Sequence, residues 1–342
     1  MALEAYYYHQ LNKAQQAAYH EMKTGLKALA PSFQVPLLSG RELSDIYFML
    51  RLDCPEIFYS VKFKYRYYQD SGNAEIFPEY LFDKNKIRTH QKALKSRVEK
   101  LARPAAKFSE VEKEQYIHDF ICQNVRYDKL KKSYSHEIIG PLGQGVGVCE
   151  GIAKSVKILC DALGIWCMIA LSEANPAKGI KYRHAWNVVQ ISGQYYHLDA
   201  TFDNTLGSGG PLRYDYFNLS DQQIFRDHEP VLWKAPICEN GEHFYYKEKK
   251  LSFTKMEDVR KRSAQALKKG RVLIFHWRGG YLTREVLMQL LQIMEEEAVK
   301  KEQHVKISLN WPQAVMKVSF EKALQSAAVT VEEANEGERD DA

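Results

Sequence analysis

The 342-residue chain has no uninterrupted apolar run of the roughly 18 residues that a membrane-crossing helix needs. Its opening stretch, MALEAYYYHQLNKAQQ, lacks the apolar segment of a secretory signal, so a cytoplasmic location with no membrane partner is expected. It has no Cys-x-x-Cys pair. Its six cysteines (Cys54, Cys122, Cys149, Cys160, Cys167 and Cys238) are scattered, which speaks for reduced thiols rather than a disulfide framework or a zinc site. The net charge of +5 is spread without a concentrated basic run, and a nucleic-acid partner is not expected. The lysines and tyrosines interleaved near residue 65 fit a half-exposed strand. Glycines at 140, 143, 145 and 147 are not followed by Gly-Lys-Ser/Thr, so they do not form a phosphate loop. Internal repeats are missing too. What is present is an ordinary globular composition, 45% hydrophobic and 27% charged, long enough for two domains or for one core with additions. Nothing in it calls for a metal or an organic cofactor.

The informative stretch is Gly140 to Thr201, centred on Cys149. Ile152, Val156, Leu159 and Leu163 recur every three or four residues and predict an amphipathic helix, with Gly164 as its C-terminal stop. Cys149 then falls in or just before the first turn, where unpaired N–H groups and the helix dipole favour thiolate. Gly147 and Gly151 are expected to leave room for a substrate backbone beside the sulfur. A short apolar strand follows the helix.

Further on, RHAWNVVQISGQYYHLDAT predicts a hairpin turning at Ser192-Gly193. Continuing its register pairs Trp186 with Asp199 and His184 with Thr201. Alternation places His184, Trp186, His197, Asp199 and Thr201 on one face, and Ala185, Val189, Leu198 and Ala200 on the other. His184 and Asp199 become diagonal neighbours about 7–8 Å apart, within reach of an imidazole–carboxylate bond. His197 is a rival base, but it shares its strand with Asp199.

GVCEGIAKSVKILCDALGI, RHAWNVVQISGQYYHLDATFD and YDYFNLSD together resemble the transglutaminase-like superfamily in its bacterial branch. The resemblance implies an α+β fold with a papain-like core. It also implies a Cys–His–Asp triad, which falls on Cys149, His184 and Asp199. The motif-bearing part covers about residues 110–228. DCPEIFY near Asp53 and IHDFICQNVRYD near Asp128 resemble, more loosely, segments that precede this core in Firmicutes-type proteins.

Around that core the chain divides into four expected parts. Residues 1–108 form an N-terminal α+β region: an apolar stripe from Leu11 to Leu29 on a helix, a break at Pro31–Pro36, and a helix over about Gly40 to Leu52. A hairpin turning at Asp70-Ser71-Gly72-Asn73 and a basic helix over 84–102 complete it. Residues 109–237 are the catalytic core, opened by a Ser109–Glu112 capping box. Residues 238–330 read as a small βαβαββ accessory domain whose first strand is FYYKEKKLSF, and 331–342 as an acidic disordered tail.

The expected chemistry is a thioester route: Cys149 attacks an amide or ester carbonyl, His184 moves the proton and Asp199 orients His184. The backbone N–H of Cys149 serves the oxyanion, Gln144 and His136 are candidate side-chain donors or substrate wall, and Trp186 walls the base or fills the core. The substrate expected is a protein or peptide. The short polar loop 172–183 suits an open cleft, which favours hydrolysis over transamidation. A non-catalytic interaction module that kept the fold is the other class.

Overall fold

The computed structural model describes residues 5–67, 71–322 and the backbone of 331–333. The chain falls into two compact units, each discontinuous in sequence. One combines Met1–Leu171, His184–Tyr195 and Val231–Ala235; the other combines Ser172–Arg183, Tyr196–Pro230 and the chain from Pro236 onward. The expected core of 109–237 is thus shared between them.

The first unit starts with α1 (Lys13–Lys27), capped by Asn12, whose buried Ala18, Tyr19, Met22 and Leu26 are the expected stripe. Leu29, in left-handed conformation (φ 52°), turns the chain away. The proline-containing stretch 31–36, expected only as a break, holds a strand, β1 (Phe33–Pro36). Proline is tolerated there because it ends an edge strand, at the margin of the order β1-β3-β2. α2 (Gly40–Asp53) carries the Ser39–Glu42 capping box. β2 (Ser60–Tyr67) and β3 (Asn73–Tyr80) form the expected hairpin, of whose turn Asp70 lies outside the described residues. α3 (Lys84–Ala102) matches the basic helix, and α4 (Glu110–Asn124) starts at the Ser109 capping box.

At the N-terminus Tyr7 is buried, with Tyr6 and Tyr8 half-buried beside it. Asp53 accepts the backbone N–H groups of Tyr7 and Tyr8 and the Tyr19 hydroxyl, each at 3.1 Å, and the Tyr7 hydroxyl donates to the Ile169 carbonyl at 2.6 Å. A buried carboxylate needs such donors.

β4 (Arg126–Tyr127) pairs in parallel with β5 (Val146–Gly147), and the loop between them folds back through a 3-10 turn at Ser133–His136 and a π-helical turn at Gly140–Gln144. Then come α5 (Cys149–Leu163), ended by Gly164 at φ 75°, and β6 (Cys167–Ser172). β7 (His184–Ile191) meets β8 (Gln194–Leu198) through Ser192 (φ 51°) and Gly193 (φ 79°). Two successive positive φ angles make the two-residue type I′ turn that the sequence predicts.

In the second unit the end of β8 pairs antiparallel with β9 (Phe217–Leu219), and between them lies α6 (Ala200–Leu206). Next come α7 (Asp221–Ile224), with a Ser220–Gln223 capping box, and α8 (Tyr245–Glu248). The expected strand FYYKEKKLSF is therefore mostly turn and short helix. Only β10 (Ser252–Phe253) is extended, because Tyr246 turns inward as a buried side chain. α9 (Met256–Lys268), β11 (Leu273–Trp277), α10 (Arg284–Val299), β12 (Gln303–Asn310) and β13 (Val315–Lys322) complete the expected alternation. The sheet order is β10-β11-β13-β12-β14, where β14 (Val331–Glu333) is a strand at the start of the segment expected to be disordered. Residues 334–342 lie outside the described ones. Phe275, Leu290, Met294, Ile307, Met316 and Val318 form its core.

This C-terminal sheet is fastened to the segment before it by a buried charge. Arg213 and Asp215, both side chains fully buried, pair at 2.9 and 2.6 Å. Asp215 also accepts the Tyr246 hydroxyl at 2.9 Å and the Asn310 amide at 3.0 Å. An ion pair out of water is tolerable only when its remaining lone pairs are met, and here residues from beyond 238 meet them.

Candidate active site

Cys149 is the first residue of α5. The preceding residue is Val148, which has no side-chain oxygen, so no side chain caps this helix start. The sulfur is half-buried, while Cys54, Cys160, Cys167 and Cys238 are buried. Burial, together with neighbouring acids, pushes the Cys54 thiol up to about 11. The Cys160 thiol is raised by its contact with Cys167 and by burial.

The glycines beside Cys149 are required by the packing of the loop before it. A Cβ on Gly151 would stand 2.1 Å from the Ser135 carbonyl oxygen, and one on Gly147 would stand 2.6 Å from Pro141 Cγ. The loop 128–148 is pressed against the start of α5, with Val148 N–H donating to the same Ser135 carbonyl at 3.1 Å. The loop is held from its other end by Asp128, which accepts the N–H groups of Leu130 and Lys132, at 3.1 Å each, and the Ser135 hydroxyl.

Glu150, the residue after the cysteine, belongs to an ionic cluster centred on the buried Lys154. Lys154 donates to Glu150 Oε1 at 2.7 Å, to Glu137 Oε1 at 2.8 Å and to the His136 carbonyl at 3.3 Å. Arg51 pairs with Glu137 and lies 3.6 Å from Glu150, and His136 Nδ1 is 3.4 Å from Glu150 Oε2. Burial alone would raise the Glu150 carboxyl. Lys154, His136 and Arg51 more than offset it and hold the group well below the usual carboxylate range. His136, a sequence candidate for the oxyanion or the wall, is thus engaged with the acid next to Cys149. Gln144, the other candidate, ends the π-helical turn and is exposed. The cluster escaped sequence reasoning, although it left a signal: Lys154 and Lys157 interrupt a buried helix, with Glu150 four residues before one and Asp161 four residues after the other.

His184 opens β7, half-buried, and its ring stacks on Trp186 with centroids 5.8 Å apart and planes 16° from parallel. Trp186 is only 1% exposed, so it backs the imidazole and does not line an open wall. Three residues after His184, the Asn187 amide donates to the Ala153 carbonyl at 3.0 Å, tying β7 to α5 one turn after Cys149.

Asp199 differs from expectation. β8 ends at Leu198, and Asp199 is the N-cap of α6, with Thr201 inside that helix. The strand expected to carry Asp199 and Thr201 stops at Leu198. The reason is local: Asp199 Oδ1 accepts the N–H groups of Thr201 at 2.8 Å and Phe202 at 3.1 Å, the bonds of a capping aspartate, and these close a helix where the strand was expected to run on. Its other oxygen, Oδ2, is 3.0 Å from His228 Nε2. His228 Nδ1 in turn lies 2.8 Å from Asp227 Oδ1, and Asp227 Oδ2 accepts the Tyr216 hydroxyl at 2.5 Å. Sequence reasoning missed His228, because the RDH triplet following α7 carries no pattern that separates it from a loop.

His197, the rival base, is buried with Nε2 2.8 Å from Asp221 Oδ1. Burial lowers its pKa, with Asp221 working against that. The loop 172–183 is closed on itself by Arg183 and Glu173 at 2.6 Å.

Residues 95–200 match the family model of the transglutaminase-like superfamily. The segment holds Cys149, His184 and Asp199, and the fold is α+β with a transglutaminase-like core. No curated protein matches the chain. Among solved structures, the chain is similar to a TGase at 13% identity, covering 42% of this chain and 44% of that one, with a TM-score of 0.28. A candidate cysteine protease from Cytophaga hutchinsonii is 19% identical over 41% of this chain and 62% of its own, with a TM-score of 0.27. A candidate protease from Parabacteroides distasonis is 17% identical over 42% and 37%, with a TM-score of 0.26. The chain spans less than two thirds of the length of each. No described helix is long and apolar enough to cross a membrane.

Proposed function

We propose that the protein is a cysteine-dependent acyl-transfer enzyme that hydrolyses a peptide or amide bond of a protein or peptide substrate. The observation that carries this reading is the half-buried Cys149 at the head of a helix whose first turn no side chain caps, so that the backbone N–H groups there can serve an oxyanion. The match of residues 95–200 to the transglutaminase-like superfamily supports it.

In this mechanism the Cys149 thiol gives its proton to His184, and the resulting thiolate attacks the carbonyl carbon. Backbone N–H groups at the start of α5 stabilise the oxyanion, His184 protonates the leaving amine, and water resolves the thioester with His184 again as base. Asp199 orients His184 and stabilises its imidazolium. The stacked Trp186 keeps the ring of His184 from turning. A cytoplasmic setting keeps such a thiol reduced.

Turnover of a peptide library by wild type and Cys149→Ala tests the proposal, with a glutamine-containing protein and a labelled primary amine as a second arm. Cleavage and release of free acid that vanish in Cys149→Ala are expected. Cys149-dependent amine incorporation exceeding acid release would replace hydrolysis by transamidation, and turnover unchanged in Cys149→Ala would overturn the assignment.

A further inference from the structure

Away from Cys149, the second unit gathers three different metal-ligating side chains from distant parts of the chain. They are His197 near the end of β8, Asp221 at the start of α7 and Cys238 in the segment that follows. Their ligand atoms all lie within 4.8 Å of one another, and His197 Nε2 is 2.8 Å from Asp221 Oδ1. His197 and Cys238 are each 1% exposed, whereas the Asp221 side chain is 35% exposed and gives the cluster an opening to solvent.

We propose that His197 Nε2, Asp221 Oδ1 and Cys238 Sγ form a binding site for a divalent zinc-type cation. An imidazole nitrogen, a thiolate and a carboxylate are the donor set that Zn²⁺ takes, and the exposed side of Asp221 leaves a fourth, tetrahedral position for water. On binding, the Cys238 thiol releases its proton to solvent and the imidazole proton sits on Nδ1, so one proton leaves per ion.

Two of the ligands are already held by the backbone. Asp221 N–H donates to the Cys238 carbonyl at 2.8 Å and Cys238 N–H to Asp221 Oδ1 at 3.3 Å, and the His197 ring rests edge-on against Phe225 with centroids 5.5 Å apart. Ligands oriented in this way lose little freedom when the ion arrives. The spacing of 197, 221 and 238 forms no local motif, so the sequence gives no sign of the site. The cation would clamp β8, α7 and the 236–240 segment together.

The test uses the full chain carrying Cys149→Ala, so that the thiol of the proposed active site cannot bind the ion. Co²⁺ titration is expected to give one equivalent of binding and a thiolate-to-cobalt absorption band in the near ultraviolet. Zn²⁺ is expected to raise the melting temperature and a chelator to reverse it. Cys238→Ser, and separately His197→Gln and Asp221→Asn, are expected to weaken Co²⁺ binding by more than about tenfold. The absence of the band in the folded Cys149→Ala protein, or its persistence in Cys238→Ser, overturns the proposal. The first readout needs no substitution at the site, so a variant that fails to fold does not remove the test.

Discussion

Asp199 Oδ2 stands 3.0 Å from His228 Nε2, deep in the second unit, while Asp199 Oδ1 caps α6. The carboxylate is therefore fixed on both oxygens by groups of its own unit. If Asp199 orients a catalytic base, His228 sets the angle at which it does so. His228→Leu is expected to lower kcat/KM by about tenfold or more with KM little changed, since an interaction made in the transition state is lost. His228→Gln, which keeps a donor, is expected to recover part of the loss. Steady-state kinetics on variants shown by melting curves to be folded provide the check, and equal rates for both variants would make His228 structural only.

Cys149 is expected to be the most reactive thiol at neutral pH. It is half-buried at an uncapped helix start, whereas Cys54 and Cys160 are buried with raised pKa values. Brief iodoacetamide labelling and peptide mapping should find it first, and His184→Ala should slow that labelling more than tenfold if His184 supplies the base. Preferential labelling of Cys122, the other half-buried thiol, counts against the assignment.

Lys154 is fully buried between Glu137 and Glu150. Lys154→Met leaves Arg51 alone against two carboxylates and is expected to cost about 3–5 kcal/mol in unfolding free energy. Urea denaturation measures it.

Glu150 has a folded-state pKa below its ordinary 4.5, so the unfolded chain binds the proton more readily. The stabilisation is complete above about pH 5 to 6 and is lost as the pH falls below 4.5 toward the folded value. Glu150→Gln should therefore be less stable than wild type at pH 7, with the gap closing in acid. A gap independent of pH between 7 and 3 would show that charge is not what the cluster uses.

Gly151→Ala sets a methyl 2.1 Å from the Ser135 carbonyl oxygen. The clash is with backbone, so the loop itself must move, and a loss of about 1–3 kcal/mol is expected. An unchanged melting temperature would show that the packing against Ser135 does not require glycine at 151.

Helices were the legible part of the sequence. α4 begins at the Ser109 capping box, and α3 and α5 lie where the basic stretch over 84–102 and the apolar stripe say they should, because caps and periodicity are encoded within a few residues. The Ser192-Gly193 turn was legible for the same reason. The strand itself was expected to run on to Thr201 and stops at Leu198, since pairing rules do not know that an aspartate accepting the N–H groups two and three residues on can start a helix there. The Arg51, Glu137, Glu150 and Lys154 cluster joins positions from 51 to 154, and only folding shows that they meet. β1 was hidden by prolines that suit an edge.

The buried pair of Arg213 and Asp215 bears on how the gene can be cut. Asp215 depends on Tyr246 and Asn310, so a chain ending at 237 keeps the charge and discards two of its hydrogen-bond donors. The last hundred residues are consequently not a detachable cassette, and shuffling them between relatives requires Arg213, Asp215, Tyr246 and Asn310 to travel as one inherited set.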